Sequence, residues 1–157
     1  MTEIRKGQPR TLLMRGIDLL SRREHSRLEL FRKLSRTLQE GETIDDVNEA
    51  LDTLQSRGYL SNERFAESRV RSREARYGNA RLAYELRMSG VDDESIREAL
   101  NQSGDELERA RAVWARKFSE PPQDARERAR QIRFLASRGF SFDVIGKVIE
   151  GGLDEDF

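Results

Sequence analysis

The chain of 157 residues has no cysteine, one histidine, three prolines and four lysines. Without thiols there is no disulfide, no Cys-ligated zinc and no iron–sulfur cluster. With one imidazole, His25, a catalytic triad or a His-rich metal site lacks parts. Neither Gly-x-Gly-x-x-Gly nor Gly-x-x-x-x-Gly-Lys-Ser/Thr occurs, so the common phosphate-cradling loops are missing. No stretch approaches the roughly 18 uninterrupted apolar residues of a membrane helix. The start, MTEIRKGQPR, lacks the apolar run of a signal peptide. The expectation is a soluble cytoplasmic protein, not an enzyme, with no catalytic residue, no metal and no cofactor.

What is present is charge. Charged residues make up 37% of the chain and apolar residues 36%, against about 25% charged in a typical domain. That leaves little for a thick core, and thin helical layers in an open arrangement are expected. Basic and acidic groups balance at 29 each, which argues against a simple nucleic-acid sponge. Their layout is uneven. Residues 1–40 carry 10 basic and 5 acidic groups, 61–90 carry 7 and 4, and 111–138 carry 8 and 3. Between and after them, 41–60, 91–110 and 139–157 carry 1 and 5, 2 and 7, and 1 and 5. The sign alternates three times.

An internal repeat explains the alternation. LRMSGVDDESIREAL (86–100) superimposes without gaps on LASRGFSFDVIGKVI (135–149), a constant offset of 49. Leu30, Leu34, Val47, Ala50 and Leu51 follow the same design more loosely. The unit is two helices, a short turn and a third helix.

Caps and apolar period place the helices. The first spans about 10–22 with Leu13, Ile17 and Leu20 on one face. Ser26 with Glu29 reads as a capping box opening helix two, which carries Leu30, Phe31, Leu34 and Leu38. Thr43 with Asp46 opens helix three (Ile44, Val47, Leu51, Leu54), and Gly58 closes it. Helix four runs from Ser61–Asn62 to about Arg76, with Phe65, Ala66 and Val70 inward. Asn79 caps helix five, and Asp92 or Asp93 caps helix six. Ser103 with Glu106 reads as a further capping box before Leu107, Ala110, Trp114 and Phe118. Pro121–Pro122 forces a break; helices eight and nine cover about 124–138 and 142–150. No stretch alternates with a strand period. The fold class expected is all-α, an elongated tandem array of three three-helix, helix-turn-helix-like repeats. Its divisions are a flexible N-terminus 1–9, repeats at 10–60, 61–104 and 105–150, and a flexible acidic tail 151–157.

Carboxylates in the third helices (Asp45, Asp46, Asp92, Asp93, Glu94) sit in first turns, where the helix dipole accounts for them. His25, just before a cap, reads as a half-exposed junction residue bonded locally. Arginine outnumbers lysine 25 to 4, which suits planar, bidentate contacts to carboxylate or phosphate. The densest run is RVRSREARYGNAR (69–81), where Arg69, Arg73 and Arg76 fall on one helical face and Arg71 off it. It reads either as a binding face or as a solvated one with Glu67 and Glu74 as salt partners. Arg126, Arg128, Arg130 and Arg133 read as solvated. Helix-turn-helix DNA readers concentrate positive charge on a recognition helix. Here the third helix of each unit is acidic, which disfavours sequence-specific DNA reading.

Three stretches resemble the signatures of the RecX family: HSRLELFRKL (25–34), GYLSNERFAES (58–68) and YGNARLAYELRMSGV (77–91). The resemblance runs over nearly the whole chain, in order. One departure is Arg76 before Tyr77–Gly78, where family members commonly have Gly, and it leaves room for a longer helix four. The resemblance implies a monomeric negative regulator of the RecA recombinase. Such a protein lies in the groove of the RecA–DNA filament and suppresses ATP hydrolysis, strand exchange and SOS co-protease activity. It implies weak contact with the DNA backbone, single- or double-stranded, and no membrane partner. Arg69, Arg71, Arg73, Arg76 and Arg81 are the expected filament contacts, with Arg27, Arg32 and Lys33 turned outward as weaker candidates. The alternative is a stand-alone helix-turn-helix-like DNA-binding protein.

Overall fold

The structure, a computed structural model, describes the backbone of residues 10–154 and the side chains of 10–150. The expected flexible N-terminus and the last three residues of the expected tail lie outside the described residues. Among the described residues there are nine helices and no strand: α1 (Leu12–Arg22), α2 (Arg27–Ser35), α3 (Ile44–Ser56), α4 (Asn62–Arg73), α5 (Asn79–Met88), α6 (Asp93–Asn101), α7 (Glu106–Lys117), α8 (Ala125–Ser137) and α9 (Phe142–Asp154). The fold is all-α, a tandem array of three-helix units, as expected. None of these helices is long and apolar enough to cross a membrane.

Local chemistry sets most boundaries. The Ser26 and Thr43 hydroxyls accept from the N–H groups of Glu29 and Asp46, and those carboxylates accept from the cap N–H groups in return. Both capping boxes are therefore complete, satisfying donors that would otherwise be orphaned. Asp92 and Asp124 cap α6 and α8 through the N–H groups of Ser95 and Glu127. The repeat is equally concrete at helix ends. Just past α5 the N–H of Gly90 meets the Arg87 carbonyl and that of Val91 meets Leu86, both at 3.0 Å. Forty-nine residues on, Gly139 meets Ala136 at 3.0 Å and Phe140 meets Leu135 at 3.3 Å. Gly58 and Tyr59 make the same pair of bonds to Gln55 and Leu54. Each glycine has φ between 79° and 91°, a left-handed conformation that suits residues without a Cβ.

Several boundaries differ from the sequence expectation. Helix four ends at Arg73, three residues early, and α9 continues past 150 to Asp154. α2 ends at Ser35, leaving Leu38 beyond it and exposed, and Ile44 in the first turn of α3 is also exposed. Ser103 and Glu106 form no capping box. Asp105 is the cap, accepting from the Leu107 N–H, while Ser103 Oγ donates to the Leu100 carbonyl.

The chain divides between Phe65 and Ala66, inside α4, into two compact units. In the first, α1, α2 and α3 pack on one another around Leu12, Leu30, Leu34, Val47, Ala50, Leu51, Leu54 and Leu60. Leu13, Ile17 and Leu20, the expected face of α1, pack partly buried against this cluster. Leu12 and Gly16 are more deeply buried than they are. A Cβ on Gly16 would stand 2.7 Å from Leu54 Cδ1, so close helix packing explains a glycine where alanine favours the helix by about 1 kcal/mol. In the second unit α7, α8 and α9 enclose Ala110, Val113, Leu135, Phe140, Ile145, Val148 and Ile149. Gln131 is buried there and satisfied. Its Oε1 accepts from Trp114 Nε1 at 2.9 Å, and its Nε2 donates to the Glu120 carbonyl at 3.1 Å.

Candidate partner-binding surface

The surface begins where α4 stops. Past Arg73 the chain makes a turn closed by the N–H groups of Arg76 and Tyr77 on the Arg73 carbonyl, at 3.0 and 3.1 Å. Arg109, on α7, holds this turn. Its Nε donates to the Glu74 carbonyl at 2.9 Å, Nη2 to the Tyr77 carbonyl at 2.7 Å, and Nη1 to Asn79 Oδ1 at 2.8 Å. Burial pushes this guanidinium below its ordinary value, while Glu106, Glu74 and Asp105 pull the other way. Only a planar, five-donor group reaches three acceptors laid out in this way.

Asn79 is therefore not the cap of α5. Gly78 occupies that position and has no side chain to cap with. The start of α5 is instead capped from the α8–α9 turn. Gly78 N–H donates to the Arg138 carbonyl at 2.8 Å and Ala80 N–H to the Gly139 carbonyl at 3.2 Å, while Asn79 N–H reaches Glu106 Oε2 at 3.3 Å. The carbonyl end of α8 thus meets the amide end of α5, a favourable alignment of helix dipoles. Contact is close enough that a Cβ on Gly78 would lie 2.4 Å from the Gly139 carbonyl oxygen.

These contacts gather arginines around Tyr77. The guanidinium carbons of Arg81, Arg73, Arg138 and Arg76 lie 4.4, 4.5, 5.6 and 5.7 Å from its ring centroid. Such cation–π distances favour the charged groups at the ring face. Arg73 is also bidentate to Glu85, at 2.8 and 2.7 Å, and Arg81 touches the same carboxylate at 3.4 Å.

The eight expected contact residues thus separate. Arg71 and Arg76 on the second unit and Arg32 on α2 are exposed, and among the described residues none of the three has an ion-pair partner. Arg81 is exposed but shares Glu85, Arg73 is committed to that carboxylate, and Arg69 is half-buried. Arg69 and Arg73 lie on α4, while Arg76 lies beyond its end. Glu85 replaces Glu67 and Glu74 as the ion-pair partner of Arg73.

Arg27 and Lys33 are not turned outward as expected. Arg27 lies along α3, bonded to Gln55 and 2.8 Å from Asp52 Oδ1. Lys33 Nζ donates to His25 Nε2 at 2.8 Å. His25 is buried, 1% exposed, rather than half-exposed. Its Nδ1 donates to the Arg23 carbonyl at 3.1 Å. Burial lowers its pKa from the ordinary value, and the nearby Arg23 and Lys33 charges add to that, so the ring is held neutral. Arg128 and Arg130 are paired with Glu150 and Glu127 on the surface, as expected of a solvated face. Among the described residues no group of three or more acidic or imidazole side chains is placed to hold a metal.

Sequence reasoning missed Arg109, Arg116 and Arg138. A lone arginine in an acidic segment, as Arg109 is, carries no local signal of the turn it holds.

The elements define a tandem three-helix-repeat protein that gathers guanidinium groups around one turn. Residues 61–100 match the second three-helix domain of RecX, and residues 104–149 match the third. The chain is 47% identical over 145 residues to the regulatory protein RecX of Ralstonia nicotianae, covering 92% of this chain and 89% of that one. It is 46% identical over 151 residues to the regulatory protein RecX of Chromobacterium violaceum, covering 96% and 97%. A crystal structure of RecX from Lactobacillus salivarius has the same fold, with a TM-score of 0.75 at 23% identity over 92% of this chain and 95% of that one. The chain belongs to the RecX family of regulatory proteins.

Proposed function

We propose that this chain is a negative regulator of the RecA recombinase in the cytoplasm. It binds the RecA–DNA filament groove as a monomer and slows ATP hydrolysis, strand exchange and SOS co-protease activity. No enzymatic step of its own is involved. The repeats (10–60, 61–104 and 105–150) engage successive protomers, so that modest single contacts add through avidity. The observation that carries the reading is the exposure of Arg71, Arg76 and Arg32 without an ion-pair partner among the described residues, on a chain whose relatives are named regulatory proteins. Arg71, Arg76 and Arg32 are the leading contacts. Arg81 and Arg69 assist, while Arg27, Arg73 and Lys33 act mainly by holding the framework.

The test is inhibition of RecA's DNA-dependent ATPase by the variant Arg71→Glu/Arg76→Glu. Inhibition should fall at least about tenfold, since two charge reversals at a desolvated contact remove several kcal/mol. Far-UV circular dichroism should not change. Full inhibition by this variant sinks the contact assignment. The second reading, a stand-alone DNA-binding protein, draws on the same exposed arginines. It requires bare DNA to bind as tightly as the filament, with a steep salt dependence.

A further inference from the structure

The second unit holds a cleft of about 240 Å³, and Arg76 alone of its lining residues was among the contacts expected from the sequence. It is lined by Arg76, Val113, Arg116, Lys117, Phe134 and Arg138. Four of these six are cations, and none of the lining residues is a carboxylate. Among the described residues none of the four has an ion-pair partner. Arg116 donates to the Ala75 carbonyl, which positions it without neutralising it. The floor is apolar. Phe134 stands edge-on to Phe118 at 5.4 Å, with the Arg138 guanidinium 5.2 Å and the Lys117 ammonium 5.8 Å from its ring centroid. Four like charges in one small cleft repel one another in the folded state unless an anion joins them. Elsewhere the molecule pairs its arginines readily, as Arg15–Glu42 and Arg73–Glu85, both at 2.7 Å, show.

We propose that this cleft binds one phosphodiester, with its nucleotide, of a single-stranded nucleic acid. The guanidinium forks of Arg76, Arg116 and Arg138 take the phosphate oxygens, with Lys117 as an added point charge. The base lies against Phe134 and Val113. Guanidinium donors above an aromatic floor are the chemistry by which unpaired strands are held without sequence reading. A duplex keeps its bases stacked inside and offers nothing to the floor. An extended acidic peptide presents carboxylates on alternate faces and offers no ring to the apolar floor. One such contact gives weak affinity, compatible with a filament that binds far more tightly than bare DNA.

The experiment titrates the full chain, without RecA, against a fluorescent oligothymidylate over a range of salt. Wild type should bind, and Arg116→Gln/Lys117→Gln, which alters two exposed side chains, should weaken binding about tenfold. The log–log salt slope should become shallower by about 0.7 for each phosphate that is no longer neutralised. Phe134→Leu, which keeps most of the volume, should weaken binding about fivefold at an unchanged slope. Unchanged affinity and slope in the double-Gln variant overturn the proposal. So does equal binding of a duplex of the same length. Binding of oligoglutamate that disappears in the same variants overturns it too, and would make the cleft an acidic-protein site. Because RecA is absent, these outcomes are independent of the ATPase test and can fail separately from it.

Discussion

The two units treat their positive charge differently. In the first, several cations are engaged within the fold while Arg32 stays exposed: Arg15 pairs with Glu42, Arg23 with Glu29, Arg64 with Glu24, Arg27 with Asp52, and Lys33 with His25. Each helix start there is capped by its own side chains. In the second unit the start of α5 is capped by another helix end, and Arg109 joins the 74–79 turn to α7 across some 30 residues of sequence. Among the described residues, that arrangement leaves Arg76, Arg116, Lys117 and Arg138 without carboxylate partners. A basic run in sequence therefore says little about which charges remain for a partner. The decisive factor is whether a carboxylate or carbonyl arrives from elsewhere in the fold.

The contrast can be broken most severely at Gly78. Gly78→Ala places a methyl group against the Gly139 backbone and should destabilise the second unit by about 4 kcal/mol. In hydrogen exchange, protection should vanish across α5 and the α8–α9 turn while α1 and α3 keep theirs. Loss of protection in both units alike would show that the units are not distinct in this way. Next in size is Arg109→Ala, which orphans two carbonyls and the Asn79 amide oxygen and should cost about 2–4 kcal/mol in denaturant unfolding. Arg109→Lys should recover less than half, because an ammonium lacks the planar fork.

In the first unit Ser26→Ala removes a local cap and should cost about 1 kcal/mol, with no effect on exchange in α5. The smallest effect expected is from pH. His25 is held neutral below its ordinary value near 6.5, so the unfolded chain binds the extra proton in the window just beneath that value. Stability of the first unit should therefore fall as pH drops through about 6.5, and rise again towards neutrality. His25→Asn should flatten that dependence in urea midpoints measured from pH 7.5 to 5.5; an equally steep profile in the variant would assign it to other groups.

Local signals carried much of the fold. Ser26 with Glu29, Thr43 with Asp46, and Gly58, Gly90 and Gly139 each act within six residues, so their spacing in sequence is their geometry in space. The offset of 49 between Gly90 and Gly139 survives as two matching helix ends. Most of the expectations that failed did so where groups from other elements intervene. Asn79 looks like a cap, but carbonyls from residues 138 and 139 arrive first, and its side chain serves Arg109 instead. Ser103 and Glu106 have the spacing of a capping box, but Glu106 turns to the Asn79 N–H in the neighbouring helix. Arg76 was expected on the face of a longer helix four; α4 ends at Arg73 and the turn is held from α7. Lys33 and His25 lie eight residues apart, and nothing in that spacing announces that burial joins them.

Sequence alone therefore settled the helical class, the threefold repeat, most helix starts and the family, because these rest on bonds between near neighbours and on an apolar period that the linear chain displays. Tertiary structure decided which arginines are bonded, which glycines touch, and where unneutralised charge collects. Those outcomes depend on groups from eight to 60 residues apart meeting at about 3 Å, and the distance between them is set by packing rather than by spacing.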